Sequence, residues 1–324
     1  MNTRLITPSA MITVALMSAA MCAAGFLALP APALPHQGYG LLFPLPEAWP
    51  VAPLWGEVAN AAVIGLSAPA VFLINKHFSL LKSSLPFWAL FYLPLTCSVL
   101  TVSGHITGNI LLLPAVLMIL VALFGGYRSR NATRATFFIA TCISVGAMVQ
   151  PAFIPFILPV LGGMAIMKIC HFREITAFIL GLIAPYWVLL GLGIVTIDDF
   201  HLPQLSDIFT STIPEGCMPV VIGTAVAFAI SLLLSLYNGI KLYAGNSRIR
   251  ALNNVVNLFG ITAVVAMTVD IANMASYVGV VNLWFALQYA NLFTLWNLHK
   301  PIWIFWLIQL CIFSYSVILI LTMH

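Results

Sequence analysis

Apolar runs of about twenty residues follow one another along almost the whole chain, from "LITPSAMITVALMSAAMCAAGFLAL" to "WIFWLIQLCIFSYSVILILTM", with only short polar connections between them. A run of roughly that length, wound as a helix, spans the hydrocarbon of a bilayer. In hydrocarbon every backbone donor and acceptor must be paired within the protein, and a helix does this within itself. The fold class expected is therefore all-α, a polytopic transmembrane helix bundle. Composition agrees: 62% of residues are hydrophobic and 6% charged, whereas a soluble chain has roughly 45–50% apolar and about 25% charged residues.

Spans are read at about 6–29, 57–75, 85–102, 108–125, 134–150, 151–167, 174–196, 217–238, 251–271, 276–296 and 301–322, which makes about 11. The fifth and sixth are split only by Gln150-Pro151 in "GAMVQPAFIPF". Proline lacks the amide donor and disfavours helix in the residue before it, so a tight hairpin is expected there. A single long broken helix is the rival reading. Cations arbitrate between the two, because lysine and arginine in short loops stay on the cytoplasmic side. With eleven spans, the N-terminus cytoplasmic and the C-terminus outside, all twelve cations fall inside: Arg4, Lys76, Lys82, Arg128, Arg130, Arg134, Lys168, Arg173, Lys241, Arg248, Arg250 and Lys300. Merging spans five and six would put half of them on each side.

The net charge of +4 is thus a topology signal, and "GGYRSRNATR" needs no nucleic acid to explain it. The sequon within it lies on the inner, basic side and is set aside. The N-terminal apolar run is longer than a usual secretory core and is read as an uncleaved first span. Six cysteines lie scattered through apolar stretches without a CxxC pair, so each is read as a small hydrophobe. No GxxxxGK[ST], GxSxG or HExxH motif occurs.

The chain reads as one integral membrane domain, 1–324, with two long outer loops at 30–56 and 197–216. The first is rich in proline and aromatics, with Trp49 and Trp55 as interfacial anchors. Polar residues near span ends point to function because each is costly in hydrocarbon unless paired or facing a cavity. Here they are Glu57, Asp270, Asn254 and Asn257. The outward carboxylates and histidines are His36, Glu47, Glu57, His105, Asp198, Asp199, His201, Asp207 and Glu215, and oxygen ligands suit Mg²⁺ or Mn²⁺. Asp198, Asp199 and His201 are the candidate metal ligands.

Three segments carry a resemblance: "NKHFSLLKSSLPFWALFYL", "LLLPAVLMILVALFGGYRSRNATRATFF" and "QPAFIPFILPVLGGMAIMKICHFREITAFILGLIAPYW". Together they resemble a family of Bacteroidota inner-membrane proteins that brings no agreed activity with it. The last also resembles the polytopic C-superfamily glycosyltransferases, with a helix ending in "QP", a basic inner turn and a span ending near "AP". Their prominent outer loops likewise follow the first and seventh spans. The resemblance implies a core at about 1–196 with accessory helices at 217–324, in the cytoplasmic (inner) membrane of a bacterium. It implies transfer of a sugar from a polyprenyl-phosphate carrier at the outer face, in envelope glycan assembly. An acidic residue of the first outer loop would act as base or metal ligand. Glu47, Asp198 and Asp199 are then the catalytic candidates, with Glu57, His105 and Asp270 as substrate-binding candidates.

A transferase of this kind must neutralise charge on its leaving phosphate. With no lysine or arginine outside, a divalent metal is the expected substitute; no other cofactor is indicated. Two alternatives stay open. One is a non-catalytic membrane subunit holding a partner or membrane lipids. The other is a transporter or lipid flippase using Asp270 and the asparagines of the ninth span.

Overall fold

The computed structural model describes residues 8–28, 38–81, 86–129, 131–201, 218–243, 246–295 and 302–323. Among them the chain is helical, with no strand and a single isolated bridge between Tyr39 and Pro44. The helices are α1 (Pro8–Ala28), α2 (Pro53–Phe78), α3 (Phe87–Ser98), α4 (Asn109–Gly125), α5 (Thr133–Val149) and α6 (Ile157–Ile166). They continue with α7 (Phe172–Gly191), α8 (Met218–Tyr243), α9 (Ser247–Val269), α10 (Met274–Leu295) and α11 (Ile302–Met323). A single helical turn, Leu100–Ser103, extends α3 beyond a break at Val99, and the tight 3-10 run Pro151–Phe156 leads into α6.

Among the described residues six helices are long and apolar enough to cross a membrane: α1, α2, α7, α8, α9 and α11. The helix α10 is buried without interruption from Ser276 to Gln288 and packs against α3, α4, α8 and α9. This explains why it can carry Ser276, Asn282, Gln288 and Asn291 in an apolar setting. None faces hydrocarbon, and each finds a partner on a neighbour. Asn282 donates to Leu95 O, Gln288 Nε2 to Asn257 Oδ1 at 2.7 Å, and Asn291 to Asn253 Oδ1. Trp284 Nε1 also donates to Asn257 Oδ1. Asn257 therefore joins two helices, while Asn254 is exposed on the outside of α9.

Proline inside a helix frees the carbonyl four residues earlier, and a buried carbonyl needs a donor. Pro94 in α3 frees Leu90 O, which accepts from Gln309 Nε2 of α11 at 3.1 Å. Pro185 in α7 frees Gly181 O, which receives a longer bond from Thr141 Oγ1 of α5, at 3.4 Å.

At Gln150 the backbone is extended (φ −134°, ψ 111°) and the chain reverses, so that Met167, just past α6, accepts from Arg128 N beside the start of α5. The hairpin reading holds. Two loop boundaries move inward from their expected positions. Proline at the first helical position starts α2 at Pro53, which places Glu57 inside α2, and a left-handed Gly193 (φ +67°) follows the end of α7 at Gly191.

The connections gather at two ends. One holds the turns after α2, α4 and α6, with Lys76, Arg128, Arg134, Lys168 and Arg173, together with Arg248 and Arg250 at the start of α9. The other holds Glu47, Glu57, Asp198, Asp199 and Asp270. The first is the basic end of the molecule and the second the acidic end.

Candidate functional site at the acidic end

The last carbonyls of a helix have no partner within it. At the end of α5 they are taken by the loop ahead of α2: Leu42 N and Phe43 N donate to Met148 O at 2.9 and 3.0 Å, and Leu41 N donates to Ala147 O at 3.4 Å. Trp49 Nε1 closes the loop on Pro44 O. Anchored in this way, the 3-10 turn Pro46–Ala48 carries Glu47 to the start of α4, where Glu47 Oε1 accepts from Gly108 N at 2.8 Å. A carboxylate there satisfies an orphan amide and meets the positive end of the helix dipole. The other oxygen, Oε2, is buried and has no partner in the protein. Burial holds the Glu47 carboxyl above the usual carboxylate range, against the opposing effect of hydrogen bonds from its own amide and that of Gly108.

Gly108 has no side chain for a structural reason: a Cβ there would strike Ser276 Oγ and the Gln150 amide. Gln150 is fully buried and donates to Ser276 Oγ at 2.8 Å, with Asn273 Oδ1 at 3.5 Å. Asn273 Nδ2 donates to both oxygens of Asp270, at 3.0 and 3.1 Å, and Tyr277 OH donates to Asp270 Oδ2 at 3.2 Å. Polar groups from the first loop, the start of α4, the α5–α6 turn and the α9–α10 junction thus form one cluster. Several of its buried atoms lack a partner within the protein: Glu47 Oε2, Thr107 Oγ1, Asn109 Oδ1 and Nδ2, and Gln150 Oε1. Buried polar groups are ordinarily hydrogen-bonded, so such a concentration of orphans at one place marks a site for water or a ligand.

The other sequence candidates lie apart from this cluster. Glu57 and His105 face each other, with Glu57 Oε1 at 3.7 Å from His105 Nδ1, beyond a hydrogen bond. The neighbouring Asn60 donates to Val102 O, Ser103 O and His105 O, fixing the turn that presents His105. Glu57 also lines an open, mostly apolar groove of about 540 Å³ between α1, α2 and α3.

Asp198, Asp199 and His201 do not assemble as expected. Asp199 Oδ2 accepts from Thr196 N and Thr196 Oγ1 at 2.7 and 2.8 Å, closing a capping box on the turn Ile197–Asp199. Those bonds hold its carboxyl below the usual range. Asp198 and His201 are exposed, and the His201 ring lies against Tyr39, 4.9 Å between centroids, with His201 N donating to Leu41 O. The two long loops therefore touch through His201, Tyr39 and Leu41 rather than by a meeting of Asp198 or Asp199 with Glu47. Among the described residues no three histidine, cysteine or acidic side chains are placed to hold a metal ion. Of the residues expected to hold Mg²⁺ or Mn²⁺, Asp199 has its Oδ2 engaged by Thr196, while Asp198 and His201 are exposed. His36, Asp207 and Glu215 lie outside the described residues.

Sequence reasoning reached Glu47 and Asp270 but missed Thr107, Asn109, Gln150, Asn273, Ser276 and Tyr277. One signal was available: polar residues recur at the breaks between spans on a single end, in "HITGN", "VQP" and "VDIANMASY". No family model, curated protein or solved structure matches the chain.

Proposed function

We propose that the chain is an eleven-span protein of a bacterial inner membrane, with its basic end in the cytoplasm and its acidic end outside. In this reading it transfers a sugar from a polyprenyl-phosphate carrier to an acceptor hydroxyl in the cell envelope. The observation that carries the proposal is Glu47: a half-buried carboxylate in the first loop, fixed by Gly108 N–H through one oxygen, with the other oxygen buried and unpartnered in the protein. A general base must be positioned and must hold protons more strongly than a free carboxylate to work near neutrality, and Glu47 meets both conditions.

In the reaction Glu47 Oε2 takes the proton of the acceptor hydroxyl as its oxygen attacks the anomeric carbon. The bond from that carbon to the phosphate oxygen breaks, and the polyprenyl phosphate leaves. Sugar hydroxyls match the unpartnered amide and hydroxyl groups of Asn109, Thr107 and Gln150, which offer both donors and acceptors. Charge on the leaving phosphate is met by the neutral donors Asn109 Nδ2 and Thr107 Oγ1. The described residues do not fit a metal site, so no step passes through one.

A second reading has its own observation. Glu47 also satisfies the start of α4, which a subunit without catalysis needs as much as an enzyme does. Glu47→Gln separates the two, because the amide oxygen still accepts from Gly108 N–H while the base is lost. Purified in nanodiscs with polyprenyl-phosphate sugar and acceptor, the enzyme should lose at least about a hundredfold in transfer, the scale of general-base catalysis, with yield and elution profile unchanged. Full transfer by the variant would overturn the catalytic reading in favour of the subunit.

A further inference from the structure

Cysteines read as isolated hydrophobes in the sequence come together in one place. Cys22 of α1 and Cys97 of α3 have their Sγ atoms 3.3 Å apart, across a sequence separation of 75 residues. Cys97 is buried and Cys22 half-buried, and both line the open groove between α1, α2 and α3 with Ser18, Glu57 and Ser103. Among the described residues this is the one contact between thiols.

The approach is built into the backbone. Gly25, three residues after Cys22, lies so close to the turn after α3 that a Cβ on it would sit 2.6 Å from Leu100 O. A Cβ on Gly104 would sit 2.6 Å from Phe26 N. Small residues of this kind let helices touch backbone to backbone. Because the helix between Gly25 and Cys22 is stiff, that contact fixes the spacing of the thiols one turn earlier.

We propose that Cys22 and Cys97 are a reversible thiol–disulfide pair that staples α1 to α3 along the groove. A bonded pair has its sulfurs about 2.04 Å apart, a small closing movement for side chains that already touch. The oxidant is a membrane quinone reaching Cys22 from the open side. Both S–H bonds break and one S–S bond forms, and the quinone takes the two electrons and two protons to become the quinol. Thiol exchange with a reduced dithiol reverses the step. The pair is independent of Glu47 and of any transferase activity.

The test uses the full chain in membranes, with Cys142, Cys170, Cys217 and Cys311 replaced by serine. After treatment with a short-chain quinone, the protein is denatured and its remaining thiols are counted by the gel shift of a bulky maleimide. Both thiols should disappear together and return together on reduction. In Cys22→Ser and in Cys97→Ser the remaining thiol should stay fully labelled after the same treatment. If both thiols survive the quinone, or if either single variant loses its remaining thiol as quickly as the pair does, the proposal fails.

Discussion

A carboxyl taken partly out of water keeps its proton to a higher pH than a free one, and the first loop holds the half-buried Glu47 in such a place. Between the ordinary glutamate pKa of about 4.3 and the higher folded value, the folded protein binds more protons than the unfolded chain. Stability therefore falls as pH rises through that window, and the loss persists above it. Glu47→Gln removes this titration. Its thermal midpoint relative to the parent protein should move upward between pH 4 and pH 7 in detergent, and a flat or opposite trend would count against the burial of Glu47. Asp199 has the opposite sign: its folded pKa is lowered, so the favourable contribution is present above the ordinary aspartate pKa and is lost as pH falls through the folded one. That carboxylate is exposed and takes its hydrogen bonds from Thr196. Asp199→Asn should leave sugar transfer unchanged in the nanodisc assay that Glu47→Gln abolishes, and a comparable loss would return the second loop to the chemistry.

At Pro94 and Pro185 another helix supplies the donor that the interruption costs. Gln309→Leu would leave the carbonyl freed by Pro94 without its donor, an effect of about 0.5–2 kcal/mol for a hydrogen bond between membrane helices. Pro94→Ala restores an amide that can reach Leu90 O within α3. In a double-mutant cycle read by unfolding in micelles, the loss from Gln309→Leu should be smaller in the Pro94→Ala background, and strict additivity would sink the account. The same logic shows what could be read from the sequence. The apolar helices were legible because hydrophobic length is a property of one segment, and the reversal at Gln150 was legible because proline acts locally. The partner of Leu90 O was not, since Gln309 lies more than two hundred positions away. Gln150, Ser276 and Asn273 escaped for the same reason: in sequence each is a lone polar residue at a span end, and only packing joins them beside Glu47.

The helices after residue 217 belong to the centre of the molecule as much as those before it. Trp88 Nε1 of α3 donates to Leu283 O of α10, Asn282 answers with Leu95 O, and the acidic-end cluster draws on both halves of the chain. What unites the molecule is the separation of charge between its ends, with the described cations gathered at one and every described carboxylate except Glu174 at the other. Lysine and arginine resist transfer across a membrane during insertion, so the basic end should be cytoplasmic and the Glu47 cluster should face out. Two exposed positions report this directly: Asn131 at the basic end and Asp198 at the acidic end. With the native cysteines replaced, Asp198→Cys should react with a membrane-impermeant maleimide in spheroplasts, whereas Asn131→Cys should react only after lysis. The reverse pattern would place Glu47 in the cytoplasm, where a carrier sugar displayed on the outer leaflet cannot reach it. Labelling of both positions in sealed spheroplasts would require the chain to insert in two orientations, which the one-sided distribution of cations argues against.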